Sequence, residues 1–203
     1  MVVMEQAEPV DRAMVSKPSR SWIPWAVGGG AFVLTLLLGA VLIADWSWRN
    51  SQMEALLDRV EASEAVLGEL QEAADRAFEE HASGGDRREL DTKLRDLAAT
   101  AETDIAAAGL EVAALPIAVW HADIERARDA YLLHNRSWVE YMDRASRSSA
   151  EFVTPQPQVN ETFFAAQPLF IDAIPAPDVR DLAARVAAIF AIPDEVVADQ
   201  VGA

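Results

Sequence analysis

The run from residue 22 to residue 44 holds 23 residues and no charged side chain. As a helix it would span roughly 34 Å, against about 30 Å of bilayer hydrocarbon. Its one inner polar side chain, Thr35, can bond back to its own helix. Trp22 and Trp25 stand at one end, and Trp46 and Trp48 at the other. That is the paired aromatic belt of a helix crossing both membrane interfaces. Pro24 falls in the first turn, where a missing N–H costs little. The pattern therefore predicts a transmembrane helix within 22–46, preceded by a disordered tail, 1–21. A cleaved leader fits less well, because the run exceeds an apolar region of about 7–15 residues and Leu42 before Ala44 is a poor cleavage signal. A buried helix of a soluble protein would not need flanking tryptophans or an apolar surface all round.

Beyond Asp45 the pattern changes to steps of three and four. Leu56, Val60, Leu67, Leu70, Ala74 and Ala77 form one stripe, with Ser63 in the missing place. They predict a helix over 47–82. No breaker separates it from the apolar run, so one continuous helix is expected. Gly84 and Gly85 end it, and Asp86 can cap the next. Leu90, Leu94, Leu97, Ala101, Ile105 and Ala108 predict a second helix over 87–108, closed by Gly109. Pro116 suits the first turn of a third helix, 116–148. Its seam is Ile117, Trp120, Ile124, Ala127, Tyr131, His134, Trp138, Tyr141 and Ala145, stepping three and four without a break.

Composition shifts after Ser149. Pro155, Pro157, Pro168 and Pro175 interleave with Phe152, Phe163, Phe164, Leu169, Phe170 and Ile171. The prolines argue against a long helix, so 150–176 is expected as an extended strap. Val179, Leu182, Val186 and Phe190 mark a last helix over 177–190. The predicted fold class is all-α: one N-terminal transmembrane helix, then an elongated, coiled-coil-like antiparallel bundle of about three long helices. Its segments are 1–21, 22–46, 47–149, 150–176 and 177–203.

Charge narrows the partners. Residues 1–21 carry three acidic and three basic side chains; from Asp45 on there are 30 acidic and 14 basic, a net of −16. Such a domain repels nucleic acid and anionic headgroups, so nucleic-acid binding is excluded. Arg12, Lys17 and Arg20 ahead of the run face Arg49 and Arg59 beyond it. By the positive-inside rule this one-charge excess places the leading segment in the cytoplasm and the domain outside. Fifteen arginines against two lysines, with many alanines, point to a GC-rich bacterial genome. The absence of cysteine excludes disulfides and thiolate sites.

Chemistry has few footholds. His121 and Glu125 stand four apart and could share a helix face as metal ligands, but no second pair completes a site. No nucleophile elbow, phosphate loop or dinucleotide fingerprint occurs. No enzyme activity, cofactor or metal is expected. The candidate partner-binding residues are the aromatics Trp120, Tyr131, Trp138, Tyr141, Phe163, Phe164 and Phe170, with His134 among them, because Trp and Tyr dominate binding hot spots. The same rings could instead fill the bundle core. Ala31, Thr35 and Gly39 recur every four residues and would let another helix approach within the membrane. The expected function is a single-pass accessory or scaffold protein of the cell envelope, binding another membrane or envelope protein or a second copy of itself. A sensory, ligand-binding bundle is the alternative, and an envelope hydrolase the third class.

Overall fold

Among the described residues, five α-helices and one 3₁₀ turn form the architecture: α1 (Ile23–Ala82), α2 (Arg87–Ala113), α3 (Ala122–Arg147), the turn Ser149–Val153, α4 (Pro157–Ala173) and α5 (Leu182–Phe190). The computed structural model describes the backbone of residues 23–191 and the side chains of residues 34–191. The predicted tail 1–21, the side chains of residues 22–33 (Ala31 included) and the end of the chain past Ala191 lie outside the described residues. Among the described residues there is no strand, and no helix is long and apolar enough to cross a membrane. The chain divides into two units, residues 1–43 and 44–203. α1 passes through the boundary as one unbroken helix.

The second unit is an up-down bundle of four helices with α5 added. The turn after α1 forms as its residues predict. Gly84 takes a positive φ of 109°, Gly85 N–H donates to the His81 carbonyl, and the Asp86 side chain caps α2 through Arg88 N–H at 3.2 Å. The core follows the α1 stripe. Met53, Leu56, Leu57 and Val60 pack with Val112 of α2, Ile124, Ala127 and Tyr131 of α3, Phe170 of α4 and Leu182, Val186 and Phe190 of α5. A middle cluster joins Ala98, Ala101 and Ile105 to Tyr141, Met142 and Ala145, with Leu67 and Leu70 against them. Ala74, Ala77 and Leu94 close the far end. Arg185 ties α5 to α1, its Nη2 at 2.7 Å from Asp58 and its Nε at 2.7 Å from Glu61.

Four predicted elements are corrected. The expected strap 150–176 is instead the 3₁₀ turn and the 17-residue helix α4. Pro157 sits in its first turn, where proline fits. Pro168 lies inside the helix but on the exposed side, so the carbonyl it leaves unpaired faces outward. An interior proline costs about 3 kcal/mol. Burial of Val159, Ala166, Phe170, Ile171 and Ala173 on the inner face outweighs it, at about 1.5–3 kcal/mol for each large side chain. The third helix begins at Ala122, not Pro116, so Ile117 and Trp120 belong to the preceding loop. Pro116 disfavours helical backbone at Leu115. The loop is held by Gln52 Nε2, which donates to the Pro116 carbonyl at 3.3 Å. The last helix starts at Leu182, capped by Asp178, whose carboxylate accepts from Leu182 and Ala183 N–H.

The second helix runs past Gly109 to Ala113. Gly109 is buried, and a Cβ there would collide with the Asn135 carboxamide. That carboxamide is fixed, because Asn135 Nδ2 donates to the Ile105 carbonyl at 3.0 Å. Gly109 therefore serves close helix approach. Gly68 on α1 is open, with nothing within 4 Å of the point where a methyl group would stand. The two glycines separate propensity from sterics. Gly68→Ala should raise stability by about 0.5–1 kcal/mol. Gly109→Ala gains the same propensity but overpacks a fixed contact, costing about 1–3 kcal/mol. Urea unfolding of the two variants should move in opposite directions.

Candidate functional site

Two places in the bundle gather polar and aromatic groups. The first is a groove of about 550 Å³ between α1, α3 and α4, with Phe152 of the 3₁₀ turn also in its lining. Leu67, Leu70 and Phe78 of α1 face Trp138, Tyr141 and Met142 of α3 and Phe163 of α4, with Glu64, Gln71, Asp75 and Asn160 at its polar edges. The volume falls in the range of small-molecule sites. A chain of rings runs from Tyr131 in the core to His134, Trp138 and Tyr141 on its wall. Centroids lie 5.9 Å apart for Tyr131 and His134, 6.3 Å for His134 and Trp138, and 5.6 Å for Trp138 and Tyr141. Phe163 joins at 5.0 Å from His134. The α3 seam, at helical period, brings the first four together; α4, running antiparallel, adds Phe163.

His134 is the polar hinge of this row. Its Nε2 accepts from Trp138 Nε1 at 3.0 Å. Indole N–H only donates, so the proton of the neutral ring sits on Nδ1. Nδ1 then donates to the Val159 carbonyl at 3.2 Å, with Thr162 Oγ1 at 3.3 Å. Burial pushes the His134 pKa down to about 4, against a smaller opposing effect of the Val159 carbonyl. Glu64 accepts from the Tyr131 hydroxyl at 2.8 Å. Burial pushes the Glu64 carboxyl above its ordinary range, and burial together with Glu64 pushes the Tyr131 phenol up. Among the described residues neither Glu64 nor Asp75 has a cationic partner within salt-bridge distance, so the groove carries uncompensated acid and no resident cation.

The second place lies at the start of the unit. Trp120 Nε1 donates to Asp45 Oδ1 at 2.8 Å, and Trp48 meets Trp120 edge-on at 5.3 Å. Beneath them His121 is buried, with Nδ1 at 2.5 Å from Gln52 Oε1 and Nε2 at 3.2 Å from Asp45 Oδ1. Arg49 pairs with Asp123. Trp46 Nε1, Arg49 Nε and Asn50 Oδ1 are buried and make no hydrogen bond among the described residues.

The predicted site residues thus divide. Tyr131, His134, Tyr141 and Phe170 are buried, at 7% exposure or less. They act as core and groove lining, since a partner protein cannot reach them without rearrangement. Trp138 and Phe163 are half-buried at the groove, while Phe164 is 59% exposed on the outer side of α4 and Trp120 60% exposed at the other place. Thr35 and Gly39 are on α1 in the first unit. His121 does not share a helix face with Glu125. It precedes α3, and its carbonyl accepts Glu125 N–H at 3.2 Å. Among the described residues no group of three or more His, Asp or Glu could hold a metal ion. Sequence pattern does not single out Glu64, Asp45, Gln52 or Phe78. Glu64 neighbours Ser63 on the stripe, the one signal that points to it. No protein-family model, curated protein or solved structure matches the chain.

The His134 shift gives a pH dependence. The folded-state pKa lies below the unfolded value of about 6.5. Between the two, the unfolded chain binds a proton that the folded chain refuses. The stability this neutral histidine preserves is therefore present above the upper value and lost as pH falls. Glu64, shifted up, works in the opposite sense. The wild-type minus His134→Gln difference in unfolding free energy isolates the histidine. It should fall by about 2 kcal/mol between pH 7.5 and pH 5. A difference independent of pH contradicts the assignment.

Proposed function

We propose that this chain is a single-pass, membrane-anchored accessory protein of a bacterial cell envelope, without enzymatic activity, whose helical bundle binds another protein. The observation that carries the reading is the first described stretch of α1. Leu34, Leu36, Leu37, Leu38, Val41, Leu42 and Ile43 are each 57–68% exposed. At 100° per residue they point to all sides of the helix. A helix apolar all round and exposed among the described residues has water as its worst solvent and hydrocarbon as its natural one. Residues 22–33 extend the same composition to bilayer length. The charge balance supports a cytoplasmic leading segment and an extracytoplasmic domain.

For the partner surface, Phe164 is an exposed aromatic of α4 that the core does not use, and it lies next to Phe163 at the groove. A photocrosslinking residue in place of Phe164, in the full chain in intact membranes, should give a discrete protein adduct. The same residue at Asp104, on the exposed face of α2, should give none. Equal, diffuse labelling at both positions counts against the accessory reading.

The groove favours a second reading, a ligand-binding sensory bundle. Its aromatic lining, with Glu64 and Asp75 lacking cationic partners among the described residues, suits an amine-bearing apolar molecule, through ion pairing and ring–cation attraction. Thermal melting of the detergent-solubilised full chain with phenyltrimethylammonium tests it. Binding at 100-fold excess over Kd would add about 2.7 kcal/mol, and Glu64→Gln should diminish that gain. No shift with this probe, alongside a Phe164 adduct, leaves the first reading in place.

A further inference from the structure

We infer that the loop ahead of α3 is a membrane-contact surface: Val119 and Trp120, with Trp48 of α1, lodge in the headgroup–acyl boundary of the bilayer. This rests on the anchor reading above and adds to it a second point of attachment, far from the span in sequence. Four observations support it.

The first is position. Asp45 is the first charged residue after the apolar run, so a helix that spans with residues 22–44 leaves the hydrocarbon at that residue. Trp120 is bonded to Asp45 itself, at 2.8 Å. The loop therefore stands at the level where the acyl region ends.

The second is what the loop shows to its surroundings. Val119 is 83% exposed, Trp120 60% and Trp48 50%. Three large apolar side chains clustered in this way are costly in water, at about 25 cal/mol for each Å² of apolar surface.

The third is the polar balance. Indole has one polar atom, and in Trp120 it is already satisfied by Asp45. The surface left over is hydrocarbon. The loop's other polar side chain turns inward: His121 is buried on Gln52 and Asp45, and Gln52 also holds the Pro116 carbonyl. Amphipathic rings of this kind, polar tip anchored and body apolar, favour the membrane interface.

The fourth is charge. Arg49, next to Trp48 in the chain, is neutralised by Asp123, and the domain as a whole is strongly acidic. Attraction to anionic headgroups is therefore not the driving force. The occupant is the interface of a bilayer that need carry no net charge, and apolar burial drives the contact.

The chain lacks cysteine, so single cysteines can be spin-labelled without background. Full-length Leu37→Cys, Val119→Cys and Val153→Cys, each exposed, would be reconstituted in phosphatidylcholine vesicles. Collision rates with oxygen, which concentrates in lipid, and with a water-soluble nickel chelate would be compared. The Leu37 label should report hydrocarbon and the Val153 label water. The Val119 label should be intermediate, with nickel accessibility several-fold below that at Val153 and oxygen accessibility raised. A Val119 label as open to nickel as Val153, with Leu37 still in lipid, overturns the inference and leaves the anchor standing. A Val119 label shielded from both reagents overturns it too, in favour of protein cover. If the Leu37 label also reads as water, the anchor reading itself falls. Circular dichroism of each labelled chain establishes that the bundle is intact.

Discussion

Met53, Leu56, Leu57 and Val60 are fully buried on one side of α1, and residues of α2, α3, α4 and α5 all meet them in a single cluster. The bundle depends on this stripe. Each of the other helices is amphipathic and too short or too polar to stand alone in water, so its stability comes from packing an apolar face. α1 supplies the common surface. α5, only nine residues long, illustrates the dependence: it is held by Leu182, Val186 and Phe190 in that cluster and by Arg185 on Asp58 and Glu61. Removal of a large side chain at the stripe would therefore loosen several elements together, at a cost of about 2–5 kcal/mol for Leu→Ala.

Past Val60 the stripe thins to Ser63, Val66, Leu67 and Leu70, the last three only partly covered. The aromatic row of α3 meets α1 there. Rings are larger than the space that four close-packed helices leave, and the groove is the consequence. It also explains why acid and histidine stand so near the core. Glu64 and His134 are tolerated because each has a partner: the Tyr131 hydroxyl for one, Trp138 and the Val159 carbonyl for the other. A buried polar group without such a partner would cost about 1–3 kcal/mol.

Much of this architecture can be read from the residues, and the failures have physical causes. The α1 stripe, the Gly84–Asp86 turn and the α3 seam from Ile124 to Ala145 are visible because periodicity and capping agree. α4 is hidden by its prolines. Yet Val159, Phe163, Ala166, Phe170 and Ala173 step four and three in register, and that face prevails over Pro168 because the proline lies on the outside. Gly109 reads locally as a helix stop, whereas its reason is Asn135, a residue 26 positions later. Trp120 falls into the seam by spacing alone; Pro116 and the Gln52 bond to it take the loop out of the helix. The aromatic residues are legible as a group, but their division between groove, core and surface requires tertiary packing. Glu64, beside Ser63 on the stripe, and Asp45, the first charge after the apolar run, carry only weak local signals in so acidic a chain.

Burial changes character along one helix. From Leu34 to Ile43, α1 turns large apolar side chains to every side and leaves them exposed; beyond Asp45, one stripe is buried and the rest is polar. If lipid is the solvent of the first part, a handful of charges there should abolish anchoring and leave the bundle untouched. The direct measurement is alkaline carbonate extraction of membranes carrying the full chain or Leu37→Arg/Leu38→Arg, with circular dichroism of each. Retention of the unaltered chain in the membrane pellet and release of the folded variant is the predicted result. Release of the unaltered chain into the supernatant would contradict it.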